Sequence, residues 1–185
     1  PKSVALNHLM VNPREIIIDL SVSDLKSTKI TRNGTVYQSL FIEGGGHLTD
    51  LGNPALPVIG KYIAVPENAT AHLTIIDSTY KDLSGYTIFP AQPRIPDSVD
   101  AKPLFAKNEA AYQQNGFFPR SLVALETPMV IRGCRAAILK IVPVQFNPAQ
   151  KTIRVYSRIQ LKISFTGGFD RFIHPRLRSG GFDRS

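Results

Sequence analysis

The chain has 185 residues, 43% of them hydrophobic, and carries a formal net charge of +8. This length and apolar content predict one folded domain, or a domain with a tail, and argue against global disorder. The single cysteine, Cys134, excludes a disulfide within the chain. The longest apolar runs fall far short of the roughly 18 residues that a transmembrane helix needs.

The positive charge raises the question of nucleic-acid binding. The basic residues, however, are scattered along predicted strands and in the C-terminal tail. The sequence contains no basic helix, no metal-finger spacing and no aromatic-rich motif of a single-strand groove. An acidic protein partner or a solvated basic face explains the charge as well, so we expect neither nucleic acid nor a membrane as a partner.

The fold class follows from the spacing of turn residues. Fourteen prolines and thirteen glycines are spread along the chain between short β-branched runs, and no stretch shows sustained helical periodicity. This pattern is typical of all-β domains with many turns. We therefore predict an antiparallel, jelly-roll-like β-sandwich with long loops and at most one short helix.

The first part of the chain predicts a strand at residues 16–22, with Ile16, Ile18, Leu20 and Val22 inward. Asn33-Gly34 is a strong hairpin-turn signal, and residues 35–42 form the next predicted strand. Three glycines at 44–46 invite comparison with a phosphate-binding loop. The prolines that follow cannot form the helix such a loop requires, so we interpret the glycines as a flexible connection.

The middle of the chain predicts short strands at 62–66, 71–77 and 86–89. Prolines at positions 90, 93, 96 and 103 then exclude a central strand or a helix across residues 94–107. This stretch must be a long, stiffened surface loop, and loops of that length in compact domains are usually functional or disordered. Residues 108–115 are the best candidate for a short helix, ended by Asn115-Gly116.

Two strong patterns occupy the last third of the chain. Residues 136–142 are apolar at nearly every position, which predicts a strand covered on both faces. From Ile153 to Phe165 apolar and polar residues alternate, which predicts a strand with one face toward a core. Asn147-Pro148 is a turn starter between them. We predict that the two strands pair as an antiparallel hairpin on which the rest of the domain packs, and that Cys134 is a small residue at the start of a buried strand.

The last twenty residues, 166–185, differ from the rest of the chain in being rich in glycine and arginine. The sequence TGGFDR at 166–171 recurs as SGGFDR at 179–184, with five of six positions identical. We predict a β-sandwich domain at 1–165 and a Gly/Arg-rich C-terminal linker at 166–185. A trypsin-like protease could cut the linker at exposed arginines; these candidate processing sites are Arg171, Arg176, Arg178 and Arg184.

No catalytic arrangement is evident in the sequence. There is no G-x-S-x-G, no H-E-x-x-H and no cysteine-pair metal spacing, and the four histidines are far apart. Asp97 and Asp100 lie on the proline-rich loop without a second acidic cluster, which is not the arrangement of a glycosidase. We predict a binding or covering domain that is not an enzyme and has no catalytic residues, metal site or cofactor.

An ordered series of motifs between residues 52 and 165 resembles the N-terminal prodomain of gingipain-type cysteine proteases. The first fifty residues match that family only in general style. The matching runs are Gly52-Asn53-Pro54-Ala55-Leu56-Pro57-Val58, Ile63-Ala64-Val65-Pro66, Ile88-Phe89-Pro90-Ala91-Gln92-Pro93, Tyr112 with Asn115-Gly116-Phe117-Phe118-Pro119, Arg132-Gly133-Cys134-Arg135, Pro143-Val144-Gln145-Phe146-Asn147-Pro148 and Ile153-Arg154-Val155-Tyr156.

The resemblance implies a propeptide of a secreted or cell-surface bacterial zymogen. Such a prodomain packs on a caspase-like catalytic domain, blocks its active site, assists its folding and is later cut away. The resemblance also implies that the proline-rich loop offers a basic side chain to the specificity pocket. Arg94 is the first candidate and Lys102 the second, but the position counted from the flanking motifs falls near Asp97, which remains a third.

A non-catalytic carbohydrate-binding or adhesion module is the alternative function. Such modules usually expose aromatic rings on a flat face. This chain has no tryptophan, and most of its aromatic residues fall in or beside predicted strands. The partner we expect is therefore the catalytic domain of a cognate caspase-like cysteine protease.

Overall fold

The computed structural model describes residues 4–12, 14–93 and 104–168. Among them strands dominate, and the helix that they contain, α1 (Glu109–Gln113), is too short to cross a membrane. In chain order the strands are β1 (Val4–Val11), β2 (Glu15–Val22), β3 (Leu25–Arg32), β4 (Thr35–Ile42), β5 (Gly46–His47), β6 (Pro57–Ala64), β7 (Thr70–Ser84), β8 (Val123–Leu125), β9 (Met129–Ile131), β10 (Cys134–Ile141), β11 (Val144–Asn147) and β12 (Thr152–Thr166).

The strands form two antiparallel five-stranded sheets and a separate hairpin of β3 with β4. In the first sheet β12 is central: β7 pairs along one edge, and β2 and β11 share the other edge, with β1 outside β2. In the second sheet β10 is central, between β6 with β5 on one side and the short β8 and β9 on the other. This arrangement confirms the predicted antiparallel all-β class.

The first hydrophobic cluster fills the space between the two sheets. The first sheet contributes alternate residues of β2 and β12, such as Ile18 and Leu161, and the second contributes Ile63, Leu139 and Ile141, all buried. The burial pattern of β2 alternates as its sequence predicts, with Ile16, Ile18, Leu20 and Val22 inward. Two sheets that bury one face each against the other form a β-sandwich.

A second hydrophobic cluster lies toward the other end of β12. It contains Ile153 and Val155 of β12 together with Phe146, Ile88 and Leu40. The register of β12 against β7 shifts between Tyr156 and Arg158, which leaves Ser157 as an extra, exposed residue. Because such a bulge reverses the alternation of side chains, the prediction that all apolar residues of 153–165 face one core was wrong.

The predicted hairpin of residues 136–142 with 153–165 was also wrong. β10 and β12 lie in different sheets, and the partner of β12 across the turn is the short β11. The reason is that the apolar stripes of both strands, exemplified by Leu139 and Leu161, meet across the sandwich. Face-to-face packing buries both apolar stripes against each other. If the two strands were paired edge to edge in one sheet, both stripes would need another layer to bury them.

Two local predictions are confirmed. Asn33 and Gly34 have φ angles of 49° and 75° and close the β3–β4 hairpin, as a type I′ turn requires. The short helix is α1, whose first turn is capped by the Asn108 side chain; Oδ1 accepts a hydrogen bond from the Ala111 amide at 3.3 Å.

The strand β10 differs from its prediction in one respect. Its inward residues are buried, but Ala136 and Ile138 on the other face are only half-buried. Cys134, at its first position, is exposed rather than packed in a core. The composition of β10 is therefore that of a strand covered on both faces, although the described residues cover only one of them.

Candidate functional site

The predicted pocket-binding residues Arg94, Asp97 and Lys102 lie outside the described residues, as do the candidate processing sites Arg171, Arg176, Arg178 and Arg184. The structure describes instead the two segments on either side of the predicted proline-rich loop. We call these segments, residues 89–93 and 104–108, the loop base.

One glutamine side chain joins the two ends of the loop base. Gln92 Nε2 donates to the carbonyl oxygens of Ala106 at 2.8 Å and Pro90 at 3.0 Å. Its Oε1 accepts from the Ala106 amide at 3.0 Å. A side-chain amide that both donates to and accepts from one residue acts like a rung of a β-ladder. Gln92 therefore holds the two segments of the loop base close together.

The loop base is also bonded to the segment around Gly52. The Gly52 amide donates to Ala91 O, and Gly52 O accepts from the Asn108 amide, both at 2.9 Å. Asn108 Nδ2 donates to Asn53 Oδ1 at 2.9 Å. Gly52 has a φ of 77°, and a Cβ there would lie 2.8 Å from the Asn108 nitrogen. Only glycine permits this close approach.

Aromatic rings support the loop base from one side. Phe105 packs against Phe89, with ring centroids 5.8 Å apart, and against Tyr37 at 5.9 Å. Tyr37 meets Phe89 edge to face at 5.7 Å. Three mutually contacting rings form a rigid platform, because each aromatic pair contributes beyond its buried area. The next residue toward the loop, Leu104, is 92% exposed.

The helix α1 connects the loop base to the second hydrophobic cluster. The Tyr112 hydroxyl donates to the carbonyl oxygen of Ile88 at 2.6 Å, and the Tyr112 ring contacts that of Phe146. Burial raises the pKa of Tyr112 above its usual value, so the hydroxyl remains a donor at any physiological pH. These contacts of α1 fix the position of residues 104–108, which directly precede it.

An open cleft of about 900 Å³ adjoins the loop base. One wall is formed by His47, Leu48 and Leu51, and the other by residues 89–93. His47 is held in place by its Nε2, which lies 2.7 Å from the carbonyl oxygen of Leu40.

A cluster around Arg154 stabilises the same end of the sandwich. Its guanidinium lies between the rings of Tyr80 and Phe117, 4.2 and 4.3 Å from their centroids. It also makes two hydrogen bonds to the Asp82 carboxylate, at 2.8 and 2.9 Å. The hydrogen bonds from Arg154 hold the pKa of Asp82 below its usual value. The cluster fastens the chain at Phe117 to β7 and β12.

The chain leaves the sandwich at a fixed point. β12 ends at Thr166, and Gly168, with a φ of 77°, lies against the turn before β7. A Cβ on Gly168 would collide with the Glu67 carbonyl oxygen and lie 2.6 Å from the Ala69 nitrogen. Arg135 braces that turn, because its Nη1 donates to Pro66 O at 2.8 Å and Ala69 O at 2.9 Å.

Within the residues that the structure describes, no group of three or more His, Cys, Asp or Glu residues is placed to hold a metal ion. Sequence reasoning missed the roles of Gln92, Phe105 and Tyr112 in the loop base. The proline run around Gln92 marked a rigid segment, but nothing local in the sequence shows that its amide reaches Ala106, fourteen residues away.

Comparison with known proteins decides the family. The Propeptide_C25 family model matches residues 4–170, which is most of the chain. The chain belongs to the Propeptide_C25 family. This propeptide is 32% identical over 168 residues to Lys-gingipain HG66 of Porphyromonas gingivalis, and 27% identical over 150 residues to gingipain R1 of the same organism. The matches cover 88% and 80% of the chain but only 10% and 15% of those relatives.

Solved structures agree with the family. A chain of the complex of Porphyromonas gingivalis RgpB pro- and mature domains superposes with a TM-score of 0.82, covering 96% of this chain and 91% of that one at 21% identity. A chain from a structure on the zymogenic latency of gingipain K gives 0.76 over 90% and 94% at 27% identity. The propeptide is thus a non-catalytic segment of a gingipain-type protease zymogen, as the resemblance implied.

Proposed function

We propose that this propeptide keeps a secreted bacterial cysteine protease latent by covering its active-site cleft and presenting the 94–103 loop to its specificity pocket. The observation that carries the proposal is the Gln92 clamp, which joins both ends of the loop base. A loop held at its base has fewer conformations to lose on binding, so more of its contact energy is retained.

The loop itself offers two basic side chains and one acidic one. A guanidinium in a carboxylate-floored pocket makes charge-assisted, bidentate hydrogen bonds, which favours Arg94 as the pocket residue. Lys102 is a point charge without that fork, and Asp97 would fit a pocket of the opposite sign. The prolines that stiffen the loop also resist the geometry that nucleophilic attack requires, so the protease binds the loop without cutting it readily.

The tail completes the scheme. We propose that residues 166–185 link the β-sandwich to a caspase-like catalytic domain, so that loop and pocket meet at high effective concentration before processing. Cutting at Arg171, Arg176, Arg178 or Arg184 removes that advantage. The chain spans a small share of its curated relatives, which leaves room for such a domain.

Inhibition of the mature protease of the same precursor tests this function. The 185-residue chain should inhibit at nanomolar concentration, and Arg94→Ala should raise the inhibition constant at least about tenfold, equivalent to about 1.4 kcal/mol. Lys102→Ala and Asp97→Ala are assayed beside it, and the largest loss identifies the pocket residue.

Arg32→Ala provides the matched control, because Arg32 is an exposed arginine at the β3–β4 turn. It should leave inhibition unchanged. A chain that does not inhibit the protease at micromolar concentration would overturn the proposed function. If all three loop variants inhibited the protease as strongly as the unchanged chain, none of these three residues would be the pocket residue.

A further inference from the structure

The two outer faces of the sandwich differ in composition. On the second sheet most outward residues are small or apolar, with Lys140 as an exception, and we call the small and apolar set the apolar face. Tyr62 is 68% exposed and Met129 is 45% exposed. The β-ladder places Ala136 between Ala64 and Met129, and Ile138 beside Tyr62. The apolar face consists of Gly60, Tyr62, Ala64, Ala124, Met129, Ala136 and Ile138.

The corresponding face of the first sheet is charged. Arg158 pairs with Asp19 at 2.7 Å and with Asp77 at 3.4 Å, and Lys162 lies two residues further along the same strand. The first sheet also carries exposed apolar side chains, Ile76 at 49% among them, but charged residues occupy its central strand β12. Covering the second sheet desolvates fewer charges, so it is the more favourable of the two surfaces to bury.

The central strand β10 shows the same feature in its sequence. Six of its eight residues are apolar, the exceptions being Arg135 and Lys140, and this composition approaches that of strands buried on both faces. In the described residues its inner side chains are buried, whereas Ala136 and Ile138 are only half-buried. Its composition therefore fits an additional layer on the outer side.

The position of the apolar face indicates what that layer is. β6 begins at Pro57, which pairs with His47 in the wall of the cleft beside the loop base. It ends at Ala64, one residue before Val65, whose amide bonds to Arg135 next to the exit of the tail. β6 thus runs about 25 Å from the cleft beside the loop base to the tail exit, and the apolar face occupies its second half, from Gly60 to Ala64.

We infer that the apolar face is a second docking surface for the catalytic domain of the protease, separate from the loop. This inference rests on the proposed function, which requires that same domain to lie at the loop and to follow the tail. A body in contact at both ends of β6 lies naturally against the face between them.

The size of the face argues against a second copy of the chain as the occupant. The face consists of three rows about 4.8 Å apart, because β8 and β9 both pair along one edge of β10, and with rows about 15 Å long it covers roughly 200 Å². A stable independent interface buries about 800 Å² per partner. The apolar face is too small to hold a dimer, but it suits a partner that is already held by a loop and a covalent tail.

One ion pair interrupts the apolar face. Lys140 lies on the central strand β10, between Gly60 and Ala124, and pairs with Glu126 just after β8. A mainly apolar surface with Tyr and Met that also carries a charged pair fits the mixed composition of protein interfaces. Tyr62 projects furthest and is the natural anchor.

Binding of face variants to the mature protease tests the inference. The dissociation constant of the 185-residue chain is measured for the unchanged sequence, for Tyr62→Arg and for Ala64→Arg. Both side chains are exposed, so the variants should fold. Each should weaken binding at least about tenfold, because a guanidinium would be buried against an apolar surface without a partner.

Thr74→Arg is the matched control, because Thr74 is exposed in β7 of the first sheet, next to Lys162. It should change the dissociation constant less than about twofold. Equal binding by the two face variants and the unchanged chain would overturn the inference while leaving the proposed function intact. If neither the unchanged chain nor any of the variants bound the protease, the proposed function would be refuted instead.

Discussion

The two hydrophobic clusters of the sandwich support different parts of the molecule. The first cluster joins the two sheets through residues such as Leu161 and Leu139, and it would be needed in any β-sandwich. The second is smaller and packs against Tyr112 and Phe118, beneath the loop base. The difference teaches that one core holds the two sheets together, whereas the other supports the loop base.

The largest expected effect lies in the first cluster. Leu161→Ala removes a fully buried side chain between the sheets and should lower the free energy of unfolding by about 2–5 kcal/mol. Denaturant unfolding at constant temperature measures this loss. A loss below about 1 kcal/mol would mean that the sheets are held together elsewhere. At temperatures where the variant remains folded, its inhibition of the protease should be unchanged.

A change in the second cluster should give a smaller loss of stability but a larger loss of function. Phe146→Leu keeps a buried apolar side chain and should cost about 1 kcal/mol of unfolding free energy. It removes the ring that Tyr112 contacts, however, and so loosens α1 and the loop base. We expect inhibition of the protease to weaken by about tenfold.

Leu161→Met is the control for that variant, because it is a similarly mild change in the first cluster. It should leave the inhibition constant unchanged. If Phe146→Leu and Leu161→Met affected inhibition equally, the division of labour between the clusters would be wrong.

The smallest expected effect is electrostatic and concerns Asp82, whose carboxylate pairs with Arg154 at the surface near the second cluster. Because hydrogen bonds from Arg154 lower its pKa in the folded state, Asp82 contributes stability above its unfolded pKa of about 3.9. That contribution is lost as the pH falls through the lower folded pKa.

Asp82→Asn should therefore be less stable than the unchanged chain at about pH 6 and nearly equal to it at about pH 2. Thermal unfolding across this range measures the difference. A gap between the two proteins that is independent of pH would show that the carboxylate charge is not what matters at this position.

Local sequence signals predicted local structure well. The alternation of Ile16, Ile18, Leu20 and Val22 gave a strand with the correct inward face, and Asn33-Gly34 gave its turn. These features depend on the conformational preferences of neighbouring residues, which a single sequence displays.

The errors concerned choices between distant partners. An apolar strand such as β10 can lie beside β12 in one sheet or opposite β12 in the facing sheet. Its sequence does not distinguish these two arrangements. The bulge at Ser157 likewise has no local signature, yet it sends Val155 and Ile159 into different clusters. The pocket-binding and processing residues remain predictions, because they lie outside the described residues.

The continuity of β12 has a consequence for how the propeptide unfolds. This one fifteen-residue strand enters both clusters, ending beside the tail at one extremity and near the loop base at the other. Melting either cluster alone would require one half of β12 to detach from its neighbours while the other half stayed paired. We therefore expect unfolding in a single concerted step, in which the loop base and the far end of β12 lose their structure together.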